Sequence, residues 1–462
     1  MSAQEAPPPS GEAPGETAAS YRRAAGLLSV GIGLSGLITY AYFAVASHNL
    51  DRTDYGEIVV VWSATYIIVA TLYRPVEQLL SRSLAEREAR EQPLRQPLRV
   101  AALIQGMLAA GFAVTALALR GPLEDGLLEG NSTLYWVLVS SVLAFAAGYF
   151  ARGFFAGTRR FRLYVALLMI EAIGRVGFAA AVALGVASGQ SVLALGIVAG
   201  PLLGLLVVPL AFARRNPAAG PAQPTGRDEE LEFTLAHGGG FAAAVLLIMF
   251  SEQTFLNAGP LLLRASEGAA AAGFIFNVLM IARAPLVMFQ AVATSLLPHL
   301  TRLLSRGAGE RAFRLSIRGT VVVIAALAVA VGLVVLAAGP ELMQIAFGEK
   351  FTYDRAGLLI VTVGMGFYLS AATLNQAALA QGQARRAAMC WVACAAGFVA
   401  WNLLPVLDEF RRVEVGFTGA ATVLCGLLFL LYRRPHARPE DVLRPDSPEE
   451  LEARLASADE AG

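Results

Sequence analysis

The sequence predicts an all-α integral membrane protein with twelve transmembrane helices in two sets of six and both termini in the cytoplasm. Three observations predict it. The chain is 56% hydrophobic and 15% charged, with a mean hydropathy of +0.58, whereas a soluble domain carries about 25% charged residues. Its apolar residues gather into twelve runs, each close to the ~20 residues that a helix needs to cross a bilayer. The basic residues between the runs alternate sides. Starting from an inner N-terminus, 27 of the 36 Lys and Arg residues fall on the inner side and seven on the outer, a bias that sets orientation. Transmembrane strands do not fit, because a barrel reads as alternating segments of ~10 residues rather than solid apolar runs.

The elements follow in order. Residues 1–20 are rich in Pro, Ala, Glu and Ser. They have no positive region before an apolar core, so they read as a disordered cytoplasmic tail and not a cleaved signal. Span one, 24–48, holds Gly26, Gly31, Gly33 and Gly36, small residues that favour close helix packing. Span two, 56–80, opens at Tyr55-Gly56 and carries Arg74, Pro75 and Glu77 near its inner end. There the arginine reads as a snorkelling side chain. Spans three (98–119) and four (133–151) follow. After span four comes a belt of Tyr149, Phe150, Phe154, Phe155, Phe161 and Tyr164 with Arg152, Arg159, Arg160 and Arg162, as expected at an inner leaflet. Span five, 163–187, carries Glu171 and Arg175. Span six, 191–212, holds Ala199-Gly200-Pro201.

The longest interior polar break then runs over 214–234, with Pro217, Gly220, Pro221, Pro224 and Gly226. It reads as a cytoplasmic linker between an N-terminal half, 21–213, and a C-terminal half, 235–434. Span seven, 235–262, holds Glu252, Asn257 and a second triplet, Ala258-Gly259-Pro260. Span eight, 271–299, opens at Ala272-Gly273, in the place where Tyr55-Gly56 opens span two, which suggests a weak internal repeat. Span nine, 317–338, runs into the third triplet, Ala338-Gly339-Pro340. Proline removes a backbone donor, so each triplet marks either a bending point or an ordinary helix irregularity. Spans ten to twelve cover 356–381, 387–406 and 415–432. Cys390, Cys394 and Cys425 lie inside them without metal-ligand partners and read as small apolar residues. Residues 435–462 form an acidic tail, expected to be disordered.

Ionisable groups inside a bilayer are costly and face a cavity or a partner. Arg283 lies ten residues past Gly273, about 15 Å into the helix, with no acidic residue within one turn. It either meets a partner from another helix or lines a wet cavity. Glu171 and Arg175 stand four apart on one helix face; they are either a self-satisfied pair or part of the same interior. Glu252 is either a carboxylate that couples transport to H+ or Na+, or a solvated group near the outer headgroups. No P-loop, HExxH, GxSxG or dinucleotide fingerprint occurs. No extramembrane segment is long enough for a domain, so neither enzymology nor an ATP drive is expected on this chain.

Three stretches resemble a known family over about residues 20–435. They are the glycine-rich first span leading to Asp54-Tyr55-Gly56, Arg152-Gly153 to Gly157 with Arg160-Phe161, Tyr164 and Glu171, and Ala272-Gly273 to Arg283, Pro285 and Leu297-Pro298. With twelve spans, they resemble the lipid-linked oligosaccharide flippases, of O-antigen and teichoic-acid exporter type, in the multidrug/oligosaccharidyl-lipid/polysaccharide exporter superfamily. The resemblance implies two six-helix lobes around a central cavity that opens to each side in turn in a bacterial inner membrane. The cargo would be a polyprenyl-diphosphate-linked glycan, with Arg283 and Arg175 as the matching cations; Glu171 and Asn257 are further cavity candidates. Glu252 is the ion-coupling candidate, although the acidic position of many relatives falls closer to Asn257. Membrane lipids are expected partners, and a glycan polymerase or glycosyltransferases are candidate ones. No cofactor, metal or nucleic acid is expected. The rival readings are a multidrug antiporter of the same superfamily, a membrane-embedded glycan-assembly enzyme, and a scaffold. A major-facilitator transporter would carry a Gly-x-x-x-Asp-Arg-type signature between spans two and three, and 82–99 lacks it.

Overall fold

The computed structural model describes residues 14–90, 92–213, 235–283 and 309–433. The predicted linker, the C-terminal tail and the inner part of span eight lie outside the described residues. The regular elements described are all helical: α1 Pro14–Asn49, α2 Arg52–Leu72, α3 Arg74–Ala89, α4 Arg95–Ala118, α5 Ser132–Gly157, α6 Phe161–Ala183 and α7 Gln190–Gly204, then the single turn α8 Leu210–Ala213, α9 Leu235–Glu267, α10 Ala269–Ala282, α11 Gly309–Phe347, α12 Arg355–Ala380, α13 Ala384–Asn402 and α14 Glu409–Tyr432. Helix therefore occupies each predicted span, and α1 begins inside the segment expected as a tail. Ten of the twelve predicted spans are described helices long and apolar enough to cross a membrane, α2 with α3 and α7 with α8 each forming one. The two that fall short are α10, 14 residues long where the described chain stops, and α13, 19 residues long with Arg385 and Arg386 in its first turn.

Local chemistry sets the ends. Asp51 accepts from the Thr53 and Asp54 backbone N–H groups, both at 2.8 Å, and starts α2. Asn131 does the same for α5 through Leu134. Such caps satisfy the amides that a helix leaves unpaired at its N-terminus. Gly268, at φ +89°, makes the one-residue turn between α9 and α10, a backbone that a side chain would strain. Predicted span two is two helices: the chain breaks at Tyr73, and Pro75 opens α3. Of the three Ala-Gly-Pro triplets, the one at Ala338 departs from helical geometry (φ −138°, ψ 20°) and kinks α11. Pro201 and Pro260 sit inside continuous helix.

Burial sorts the helices. Ile58, Val59, Val60 and Val61 of α2 are consecutive and all fully buried, so α2 is covered on every face. In contrast, α4 exposes Leu103, Met107, Val114 and Leu117, and α11 exposes Val322, Val323, Val329 and Leu333. Exposed apolar stripes of this length suit lipid. Within the first half α6 packs on α1 and α7, and α5 on α3, α4 and α7; within the second, α9 packs on α13, and α12 on α11 and α14. The halves meet mainly through α2 against α9 and α10.

The α12–α14 contact is clamped by Arg411, whose guanidinium donates to both Asp354 oxygens at 2.7 and 2.9 Å. Burial works to raise the Asp354 carboxyl, but Arg411 and the Gly357 N–H outweigh it and hold it below the usual carboxylate range. A depressed acid contributes stability above its unfolded pKa and loses it as pH falls through the folded value. The thermal midpoint of the wild type is therefore expected to fall below about pH 4 more steeply than that of Asp354→Asn. Parallel slopes would remove this role.

Candidate functional site

Two glycine stripes build the polar interior of the first half. On α7, Gly196, Gly200 and Gly204 recur every four residues and lie against the Arg175, Glu171 and Leu167 turns of α6. A Cβ on Gly200 would stand 2.8 Å from the Glu171 carbonyl oxygen. On α5, Gly153 and Gly157 admit the backbone of α3; their Cβ atoms would stand 2.9 Å from the Glu77 and Ser81 carbonyl oxygens. Small residues at this spacing let membrane helices approach to backbone contact. Gly200, in a triplet that the sequence left open between a bending point and an ordinary irregularity, is thus a packing residue.

Close approach brings five helices around one buried ion cluster. Glu171 accepts from Arg175 at 3.0 Å and, through its other oxygen, from Arg152. Only 5% of Glu171 and 2% of Arg175 is exposed. Arg175 also donates to Thr39 of α1 at 3.2 Å, and its guanidinium lies 4.6 Å from the Trp62 ring of α2. Arg152 stands 4.6 Å from the Tyr149 ring. An aromatic face attracts a desolvated cation by about 2 kcal/mol, which offsets part of the cost of holding two arginines against one carboxylate. Arg152 also interacts with Glu77 of α3, whose carboxylate accepts from the Tyr164 hydroxyl at 3.0 Å.

The cluster continues toward the second half. Arg74 opens α3 just past the break at Tyr73. Its side chain is exposed, yet it interacts with Glu77, Tyr149, Tyr164 and, from the other half, Glu252. These groups belong to α3, α5, α6 and α9. Tyr368 of α12 interacts with Glu252, Arg283 and Arg74, which links the line to Arg283. That residue caps α10, lies 5.9 Å from the Phe276 ring and interacts with Tyr40 and Tyr368. Its Nε and Nη2 have no hydrogen-bond partner among the described residues.

The structure thus brings Glu171 and Arg175 into one cluster and sets Arg283 apart from it, on the far side of the α1 turn that carries Thr39 and Tyr40. Asn257 turns to its own helix, donating to Gln253 at 3.0 Å. Glu252 faces Arg74. Sequence reasoning assigned Arg152 to the inner belt. Helix length carried the missing signal: Arg152 lies about 8 Å from the end of α5 and Glu171 about 15 Å into α6, a difference that an arginine side chain spans. The three cysteines are free, and the described residues hold no metal-ligand cluster.

At one end the halves are sealed. A Cβ on Gly56 would fall 1.8 Å from the Ala269 carbonyl oxygen, and one on Gly273 would fall 2.9 Å from the Gly56 Cα. The two positions matched in the internal repeat therefore touch. Around them, Tyr55 donates to Asn277, Tyr40 to the Met280 carbonyl and Lys350 to the Leu50 carbonyl. Arg264 donates to the Leu127 carbonyl at 3.0 Å and pairs with Glu129 at 3.1 Å.

No protein-family profile matches the chain. Uncharacterized proteins of Mycobacterium bovis and Mycobacterium tuberculosis are 27% identical to it over 414 residues, 86% of this chain and 87% of each relative. Among solved structures, an inward-facing multidrug resistance transporter of the MATE family, in the MOP superfamily, superposes with a TM-score of 0.65 at 12% identity. It covers 89% of this chain and 93% of that one. An outward-facing MATE structure gives 0.59 at 14% identity, over 91% and 96%. A Vibrio cholerae MATE transporter gives 0.58 at 16%, over 90% and 97%. This multi-pass membrane protein has the fold of the MATE transporters of the MOP superfamily.

Proposed function

We propose that the chain is a secondary transporter working by alternating access, and that its cargo is a small neutral or anionic amphiphile of the class that a multidrug exporter carries. The observation that carries the reading is the polar interior drawn from both halves and sealed at the Gly56–Gly273 end. Better superposition on the inward-facing MATE structure than on the outward-facing one supports an inward-open state. The interior described holds Arg74, Arg152, Arg175 and Arg283 against Glu77, Glu171 and Glu252, among Tyr40, Trp62, Tyr66, Tyr149 and Tyr368. An excess of one cation over the carboxylates suits an amphiphile with an acidic group, and the aromatic walls offer faces on which its flat apolar part can stack. With no nucleotide-binding motif in the sequence, the drive would be an ion or substrate gradient.

Export of a polyprenyl-diphosphate-linked glycan keeps one observation in its favour, the Arg283 guanidinium, two of whose nitrogens are buried without a hydrogen-bond partner among the described residues, which suits a diphosphate. Two measurements separate the readings. Proteoliposomes under an imposed pH or sodium gradient should expel an anionic fluorescent dye and leave a cationic one. Native mass spectrometry of the purified protein should then show no polyprenyl-diphosphate lipid. Dye retention, together with such a lipid bound to wild type and lost in Arg283→Ala, would replace the exporter reading with the flippase.

A further inference from the structure

We propose that the sealed end is held by two equivalent latches, one from each half, with Arg264 and Lys350 as their cations, and that the two release together. The inference rests on the alternating-access reading. The contacts match under the internal repeat. In the first half, the segment 119–131 that follows the third span crosses to the end of α9, the first span of the second half. There Arg264 donates to the Leu127 carbonyl at 3.0 Å and pairs with Glu129 at 3.1 Å. In the second half, the segment 348–354 that follows the third span crosses to the end of α1, the first span of the first half. There Lys350 donates to the Leu50 carbonyl. The segments are built alike. Each has a glycine in the left-handed region, Gly130 at φ +79° and Gly348 at φ +90°, and each has a fully buried apolar anchor, Leu128 and Phe351. The Phe351 ring lies 5.1 Å from the Tyr55 ring, so the second anchor reaches α2 beside the Gly56–Gly273 crossing.

The chemistry of the two latches also agrees. Both cations come from the second half and both carbonyls from the first. Leu50 lies just past the last residue of α1, and Leu127 closes the short π-helical turn Pro122–Leu127. Carbonyls at helix ends lack helical partners and sit at the negative end of the dipole. Few basic residues are placed on the outer side of a membrane protein, and these two are among the seven that this sequence puts there. Lys350 is moreover the single lysine of the chain. An ammonium is a compact point charge with rotatable donors, which suits one carbonyl. Glu129 holds its backbone at φ +53°, a conformation that persists in a non-glycine residue only where its surroundings fix it; the pair with Arg264 does so. Water replaces such polar contacts once they part, so each contributes modestly and can release. Because both latches join the same two halves around one crossing, parting at that end breaks both. Loss of either therefore shifts the population toward the open state.

The single lysine makes the test direct. The full-length protein in nanodiscs is treated with a membrane-impermeant acetylating ester, and acetylation of Lys350 is timed by peptide mass spectrometry. Arg264→Met removes the other latch without touching Lys350 and should speed acetylation about five-fold or more, the scale of a typical coupling between sites. Glu129→Gln, which removes the ion pair and keeps the Leu127 bond, should give a smaller rise. Lys350→Met is read in the reverse direction by spin labels at Ser188→Cys and Leu407→Cys, on exposed loops of the two halves apart from both latches, with the native cysteines replaced by alanine. Its ratio of open to sealed molecules should rise by a similar factor, and in Arg264→Met with Lys350→Met the two factors should multiply. Misfolding alone would smear the label distances instead of moving molecules between two populations. Unchanged acetylation in both Arg264→Met and Glu129→Gln, or an unchanged distance distribution in Lys350→Met, overturns the paired latches while alternating access stands. If the labels show a single distance in wild type under every gradient and dye applied, the alternating-access reading falls and takes the latches with it.

Discussion

Glu171→Ala is expected to cost about 3–5 kcal/mol, the usual result of leaving a buried charge without its partner. Two arginines share this carboxylate inside the first half. Arg152 would retain Glu77, but Arg175 would keep only Thr39 and the Trp62 face. Against a total stability of about 5–15 kcal/mol, that loss should lower the yield of monodisperse protein and its thermal midpoint in detergent. Trp62 fluorescence should change as the stacked guanidinium shifts. Removing one cation is a milder change: Arg152→Met leaves Glu171 and Arg175 as a balanced pair and should cost clearly less. A Glu171→Ala protein as stable as wild type would mean that water or lipid reaches Arg175 and that the cluster is not closed.

The second large effect belongs to Gly56→Val. Its Cβ would overlap the Ala269 carbonyl, 1.8 Å away. Backbone on both sides leaves no side chain to swing aside, so the halves must part at that end or the variant must not fold. Asn277, fully buried beneath the seal and bonded to Tyr55, reports which. In a background without native cysteines, Asn277→Cys should resist a membrane-impermeant maleimide. The same cysteine with Gly56→Val should react, from the predicted outer face. Folded Gly56→Val protein that stays unreactive would show that the crossing is not the seal. Gly273→Val should act in the same direction and more weakly, because its nearest contacts are at 2.9 Å.

Several site features were legible in the sequence. Glu171 and Arg175 announce themselves as charges four apart in an apolar run, and the structure pairs them. Arg283 was marked by having no acid nearby, and two of its nitrogens are indeed unpartnered among the described residues. The glycines of the Arg152-Gly153 to Gly157 stretch were visible as a pattern, but their use against α3 was not. Asn257 was a cavity candidate and Glu252 the ion-coupling candidate; the structure bonds Asn257 along its own helix to Gln253.

What the sequence by itself determined was helical class, span positions and the identity of the costly intramembrane charges. Each follows from local physics: a backbone in hydrocarbon must satisfy its own hydrogen bonds, and an ionised group there is rare enough to be conspicuous. What only the tertiary structure decided was which charges share a carboxylate, which glycines are contact points rather than hinges, and which end of the molecule is shut. Those depend on the approach of helices remote in sequence, such as Gly56 against Ala269 and Arg152 against Glu171, and one ångström of interhelical distance changes their energy more than any property written in a single span.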